Sequence, residues 1–116
     1  MQGDLAAARS LTEESLAIGR ELGDRRGVVE CLERLAAVSG ADGHLPRSAR
    51  LLGAAEALRE AIGAPLSASD RADLGRVAAT VRSRLAQPAC AAAWAEGRAM
   101  TVEQAIAYAL SEDEEA

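Results

Sequence analysis

The stretch HLPRSARLLGAAEALREAIG, residues 44–63, carries the signals needed for one amphipathic helix. Pro46 suits a first-turn position, because the N–H groups of that turn have no partner within the helix. Gly63 favours the left-handed conformation that ends helices, and Pro65 prevents continuation. Apolar side chains at helical spacing then predict a single buried face, formed by Leu51, Ala55, Leu58 and Ile62.

A partly matching repeat of this stretch lies forty positions earlier, in residues 3–23. When residues 3–23 are aligned with residues 43–63, five positions are identical and the glycines at both ends match. A period of about forty residues is typical of helical repeats, in which each hairpin buries its apolar face against a neighbour. Because two repeats are too few for a stable array, we expect a capped end, a piece of something longer or a self-associating unit.

Two helices are predicted before residue 44. The first runs from a cap at Asp4 to Leu22, and its wide apolar arc suggests two neighbours. Residues 24–27 form a polar connection, and the second helix runs from about Gly27 to Ser39.

Three helices are predicted after residue 66. A start signal at Ser67 opens a helix that ends near Ala86, and Pro88 opens a short one that Gly97 ends. A capping box at Thr101 begins the last helix. No segment alternates with period two, so we predict an all-α array of antiparallel helical hairpins with a C-terminal helical cap.

The composition agrees with closely packed helices. Hydrophobic residues make up 49% of the chain, but its only aromatic residues are Trp94 and Tyr108. A core with so few aromatic residues must be built mainly from Leu, Val, Ile and Ala. All 13 basic residues are arginine, so a Schiff-base lysine and a phosphate-loop lysine are excluded.

The charge distribution does not indicate a basic surface for binding nucleic acid or membranes. The net charge is −5, and residues 112–115 supply −4 of it. The arginines of the predicted fourth helix alternate with Asp70 and Asp73, which indicates an ordinary solvated surface. We expect no signal peptide, because no basic start precedes an apolar segment, and no apolar run is long enough to span a bilayer, so we expect a cytoplasmic protein.

Candidate catalytic and metal-binding residues are few. His44 is the single histidine and lies in a turn, while Cys31 and Cys90 lack metal-ligand spacing and are predicted to be reduced core residues. The acid pairs Glu13/Glu14 and Glu30/Glu33 are predicted to be solvated. No known catalytic motif is present, so we expect no enzymatic activity, no cofactor and no metal.

Two segments carry a resemblance to a known family. Residues 3–27, GDLAAARSLTEESLAIGRELGDRRG, resemble the tetratricopeptide repeats of large bacterial signalling ATPases. Residues 48–85 and 91–110, the latter reading AAAWAEGRAMTVEQAIAYAL, resemble the extreme C-terminus of LuxR-type and related transcriptional regulators. The resemblance implies a tetratricopeptide-like fold and a role as sensor or protein-interaction region, without the nucleotide-binding and DNA-binding modules.

The leading functional interpretation is a non-catalytic protein–protein interaction or scaffolding module of a bacterial transcriptional regulator. Its partner would be another protein, upstream repeats of a longer chain or a second copy. The alternative is a small-ligand sensor that holds an apolar or anionic effector between helices. The residues predicted to form an interface are Leu5, Ala8, Leu16, Arg25, Arg26 and Trp94.

Trp94 has a second interpretation, as the anchor that packs the C-terminal helices onto the fourth helix. For the domain organisation, we expect one compact domain with hairpins in residues 1–66, capping helices in residues 67–111 and a disordered acidic tail in residues 112–116.

Overall fold

Six α-helices account for the fold in the computed structural model, which describes residues 2–111. No strand occurs among these residues, so the prediction of an all-α chain is confirmed. The helices are α1 (Gln2–Leu22), α2 (Arg25–Ala41), α3 (Leu45–Ile62), α4 (Ala68–Arg84), α5 (Gln87–Arg98) and α6 (Val102–Leu110).

Four of the predicted start and end signals of the helices are present in the structure. Gly23 and Gly63 follow α1 and α3 with φ of 69° and 66°, the left-handed region in which glycine avoids a Cβ clash. Ser67 caps α4 by accepting from the Asp70 N–H. Thr101 begins α6 with a full capping box.

Some predicted helix boundaries differ from those in the structure. Asp4 lies in the first turn of α1 and does not cap it, because α1 begins at residue 2. Asp24 caps α2 by accepting from the Gly27 N–H at 2.9 Å, so the helix begins at Arg25 and absorbs most of the expected connection. α4 ends at Arg84, two residues before the predicted end.

The core lies around α2 and α3. Most of the predicted apolar face of α3 is buried, with Ile62 packed at its edge, and α2 supplies Val29, Leu32 and Leu35 opposite it. The Ser48 hydroxyl, on α3, donates to the Ala36 carbonyl of α2 at 2.7 Å and ties the two helices together. α1 forms a hairpin with α2. The apolar side chains of α4, Leu74, Val77 and Val81, pack along one edge of α2 and α3.

The most extensive neighbour of α3 is α5, followed closely by α2, whereas α4 makes a much smaller contact. Gly53 of α3 and Gly97 of α5 allow the backbones of these helices to touch. A Cβ on Gly53 would overlap the carbonyl oxygen of Trp94, and a Cβ on Gly97 would overlap that of Arg50. Gly97 is therefore a buried contact inside α5 and does not end the helix as predicted.

A buried arginine fixes the last helix. Arg47 is 2% exposed, and its Nη2 donates to the carbonyls of Tyr108, Ala109 and Ser111 at 3.2, 2.9 and 3.1 Å. These carbonyls end α6, where the helix dipole is negative. The guanidinium also lies 4.9 Å from the centre of the Tyr108 ring. A cation of α3 thus holds the C-terminal end of α6.

Two predictions on organisation remain predictions. The predicted boundary at residue 66 falls between α3 and α4, and whether the two parts are distinct units stays a prediction. The tail of residues 112–116, predicted to be disordered, lies outside the described residues. No helix within residues 2–111 is long and apolar enough to cross a membrane.

The crossing of α3 and α5 makes a first test. Because a methyl group on Gly53 would meet backbone atoms, Gly53→Ala is expected to lower the free energy of unfolding by about 2 kcal/mol or more. Gly75 of α4 is the matched control, since a Cβ there meets nothing within 4 Å, and Gly75→Ala is expected to add about 0.5–1 kcal/mol. Urea denaturation measures both. Equal effects of the two substitutions would contradict the contact between backbones.

Candidate functional site

A groove of about 540 Å³ opens between α3, α4 and the segment of residues 63–66. Small residues create it, because Ala55, Gly75 and Ala78 leave space that larger side chains would fill. Leu52 and Leu74 line it, and Trp94 of α5 forms one wall. The groove is therefore mainly apolar and opens to solvent.

An ion pair is buried at one side of this groove. Arg59 donates from Nε and Nη2 to the two carboxylate oxygens of Glu33, at 2.5 and 2.9 Å, and from Nη1 to the Ala64 carbonyl at 2.9 Å. The two residues are only 8% and 9% exposed. The hydrogen bonds to Glu33 raise the pKa of Arg59 above its ordinary value. The three nitrogens of Arg59 and both carboxylate oxygens of Glu33 thus hold α2, α3 and the 63–66 segment together.

The burial of Glu33 corrects the prediction that the pair Glu30/Glu33 is solvated. Glu30 is exposed, as expected, whereas Glu33 points toward α3. The helical spacing of α2 could not reveal this, because the neutralising arginine lies 26 residues further along the chain.

A second arginine binds the other two acids of the groove. Arg98 of α5 donates to Glu56 at 2.8 Å and to both oxygens of Glu60 at 2.7 and 3.1 Å. This contact lowers the pKa of Glu60. The Trp94 Nε1–H donates to Glu56 at 2.9 Å, which fixes the indole ring in the wall.

Two groove arginines have no carboxylate partner among residues 2–111. The guanidinium of Arg82 lies 4.9 Å from the centre of the Trp94 ring, and Arg71 makes a long 3.4 Å contact with the Leu66 carbonyl. They are eleven positions apart, which is about three turns and about 16 Å on one face of α4. The edge of the groove along α4 is therefore positively charged.

The second candidate surface is on α1, and it differs from the predicted one. Leu16 was expected on an uncovered apolar arc, but it is 0% exposed and belongs to the core, so that prediction was wrong. Leu5 and Ala8 are half-buried. The residues that do project into solvent are Leu11, Ile18 and Leu22, which are 65%, 58% and 75% exposed. We call these three residues the α1 stripe.

The error on α1 has a simple cause. A wide apolar arc on a helix does not indicate which of its edges faces the core. Leu16 lies on the side of Thr12 and Gly19, which are also buried, and that side faces α2. The α1 stripe lies at i, i+7 and i+11, so its members share a face.

The structure does not bring the remaining predicted interface residues together. Arg25 and Arg26 are exposed at the start of α2, and Arg25 lines a shallow depression beside Thr101 and Glu103. Trp94 is half-buried, contacts α3 through Glu56 and meets α4 through Arg82.

The residues considered for chemistry are engaged in structure. His44 precedes α3, and its Nε2 lies 3.0 Å from an Asp42 carboxylate oxygen. Cys31 and Cys90 are buried and free, as predicted, and burial raises the pKa of the Cys31 thiol. Within residues 2–111 no group of three His, Cys, Asp or Glu side chains could hold a metal ion.

The buried pair can be tested by double-mutant analysis. Arg59→Met leaves the Glu33 carboxylate buried without its partner, so we expect a loss of about 3–5 kcal/mol of unfolding free energy. Replacing both residues by methionine should restore much of this loss, because no charge is then left buried. Arg76→Met, which breaks the exposed pair with Asp73, is the control and should cost less than about 1 kcal/mol. A similar loss for Arg59→Met and Arg76→Met would contradict the burial of the pair.

Comparison with known proteins relates this chain to a segment of larger regulators. It is 33% identical over 108 residues to proteins of Mycobacterium bovis and Mycobacterium tuberculosis, each named "Putative HTH-type transcriptional regulator". The match covers 93% of this chain and 12% of each relative, so the chain spans about an eighth of their length. No family model matches the chain. No solved structure matches it either.

Proposed function

We propose that this chain is a non-catalytic, tetratricopeptide-like interaction module of a bacterial transcriptional regulator, and that it binds another helical hairpin through the α1 stripe. Similarity to a segment of HTH-type regulators supports the regulatory context. The observation that carries the proposal is the exposure of Leu11, Ile18 and Leu22 on one face of α1. Large apolar side chains aligned along a helix are typical of interaction surfaces.

The internal repeat supports a helix as the missing neighbour of α1. The repeat aligns Leu11 with Leu51 and Ile18 with Leu58. Leu51 and Leu58 are buried on α3, which has the preceding hairpin beside it, whereas their counterparts on α1 are exposed. A helix packed against α1 as α2 packs against α3 would cover the stripe.

In a longer regulator the natural occupant is a preceding helical hairpin of the same chain. A second copy of this chain offers the same kind of apolar face and takes that place when the 116-residue chain is studied alone. Glu14 and Glu21 are exposed beside the stripe along one of its edges and would form part of the polar rim of such an interface.

The proposal predicts that the isolated chain self-associates through α1. The double substitution Ile18→Glu and Leu22→Glu should weaken self-association by about 100-fold, because charged side chains replace two apolar contacts. Light scattering and sedimentation over a micromolar concentration range measure the change. Circular dichroism should show an unchanged fold, since both residues are exposed.

A matched control keeps the charge change but moves it away from α1. Ala79 and Ala92 are exposed on α4 and α5, and Ala79→Glu with Ala92→Glu should leave the assembly intact. A wild-type chain that stays monomeric over this concentration range, or a double α1 variant that assembles as well as wild type, would contradict the proposal.

A further inference from the structure

We infer that the groove between α3 and α4 binds a small molecule with an apolar body and one anionic headgroup, such as a medium-chain carboxylate, and that Arg82 binds the headgroup. This site lies apart from the α1 stripe, so it does not depend on the interaction proposed there. Three features of the groove carry the inference: its size and lining, the balance of its charges, and the placement of Arg82.

The size and lining match those of small-molecule sites. Such sites usually have volumes of about 300–1,000 Å³, with mainly apolar walls and a few polar groups that orient the ligand. The groove has a volume of about 540 Å³. Its apolar walls come from Leu52 and Ala55 on α3, Leu74 and Ala78 on α4, and Pro65 between the helices. An apolar ligand would gain free energy by displacing water from these surfaces.

The charges of the groove select the sign of the ligand. Arg59 pairs with Glu33, and Arg98 is shared by Glu56 and Glu60, so these five groups leave a charge of −1 on the α3 side, and with Arg71 and Arg82 the groove has a net charge of +1. Arg71 and Arg82 have no carboxylate partner within residues 2–111. The charge left over is positive and lies along α4, which complements an anion and repels a cation.

The placement of Arg82 suits a carboxylate. Its guanidinium lies over the Trp94 ring, and the hydrogen bond from Trp94 Nε1 to Glu56 holds that ring in place. The aromatic contact leaves the N–H groups at the edge of the guanidinium free for bidentate binding of a carboxylate. Arg82 is therefore oriented before the ligand arrives, which lowers the entropic cost of binding.

The distance along α4 limits the length of the ligand. From Arg82 to Arg71 the groove follows about three helical turns, or about 16 Å. With the headgroup at Arg82, an extended chain of ten carbons advances about 1.25 Å per bond, or about 11 Å in all, and fits between the two arginines. A longer chain would reach the charged end at Arg71, so chain length should affect affinity.

The single tryptophan of the chain provides the readout, because it forms the wall of the groove. Titration of the full chain with decanoate, below its micelle concentration, should change the Trp94 fluorescence in a saturable way with one site per chain. Decanol and decyltrimethylammonium have the same apolar body with a neutral and a cationic headgroup. We expect decanoate to bind at least about tenfold more tightly than either, as a charged hydrogen-bonded pair provides.

Two pairs of variants locate the site, with affinities measured by calorimetry because Arg82 itself contacts the fluorophore. Gly75→Leu should abolish binding by filling the groove, and the fold should persist because a Cβ at Gly75 meets no atom within 4 Å. Thr80→Leu, on an exposed position outside the groove, is its control. Arg82→Gln should weaken decanoate binding by about tenfold, while Arg84→Gln, also outside the groove, should not.

The results separate this inference from the proposal for α1. The variant with Ile18→Glu and Leu22→Glu should bind decanoate as wild type does. Equal affinity for decanoate and decanol, binding that survives Gly75→Leu in a folded chain, or no saturable change at millimolar decanoate would each overturn the inference.

Discussion

The contact between the backbones of α3 and α5 determines how the rest of the structure is arranged. Gly53 and Gly97 permit it, because any side chain at either position would overlap a carbonyl of the other helix. With α5 close against α3, α4 packs only along an edge of α2 and α3. Small residues on that edge leave the groove open, and the same contact brings Trp94 to its wall.

Arginine performs every cationic role in this chain, and the roles depend on its planar group of donors. Arg47 binds the end of α6, Arg59 binds Glu33 inside the protein, and Arg98 joins two acids of α3 to α5. These contacts use the donors of Arg59 and Arg98 for structure. The groove is left with Arg71 and Arg82, whose charge no carboxylate in residues 2–111 neutralises.

Local signals in the sequence predicted the helices, and distant contacts explain what it did not predict. The stop at Gly63 and the capping box at Thr101 depend on neighbouring residues, so they could be recognised directly. The burial of Glu33 depends on an arginine 26 residues away, and the role of Gly97 depends on α3. The groove lies between α3 and α4 with Trp94 of α5 as one wall, so it depends on how three helices pack, which helical periodicity does not specify.

The most direct test of this arrangement is a nuclear Overhauser experiment on the chain with assigned backbone resonances. An added Cβ at Gly97 would lie 2.9 Å from the amide nitrogen of Ala54, and one at Gly53 would lie 3.2 Å from that of Arg98. The structure therefore predicts strong cross-peaks from the Gly97 Hα to the Ala54 amide proton and from the Gly53 Hα to the Arg98 amide proton. Absence of both cross-peaks, with all four resonances assigned, would contradict the contact on which the groove depends.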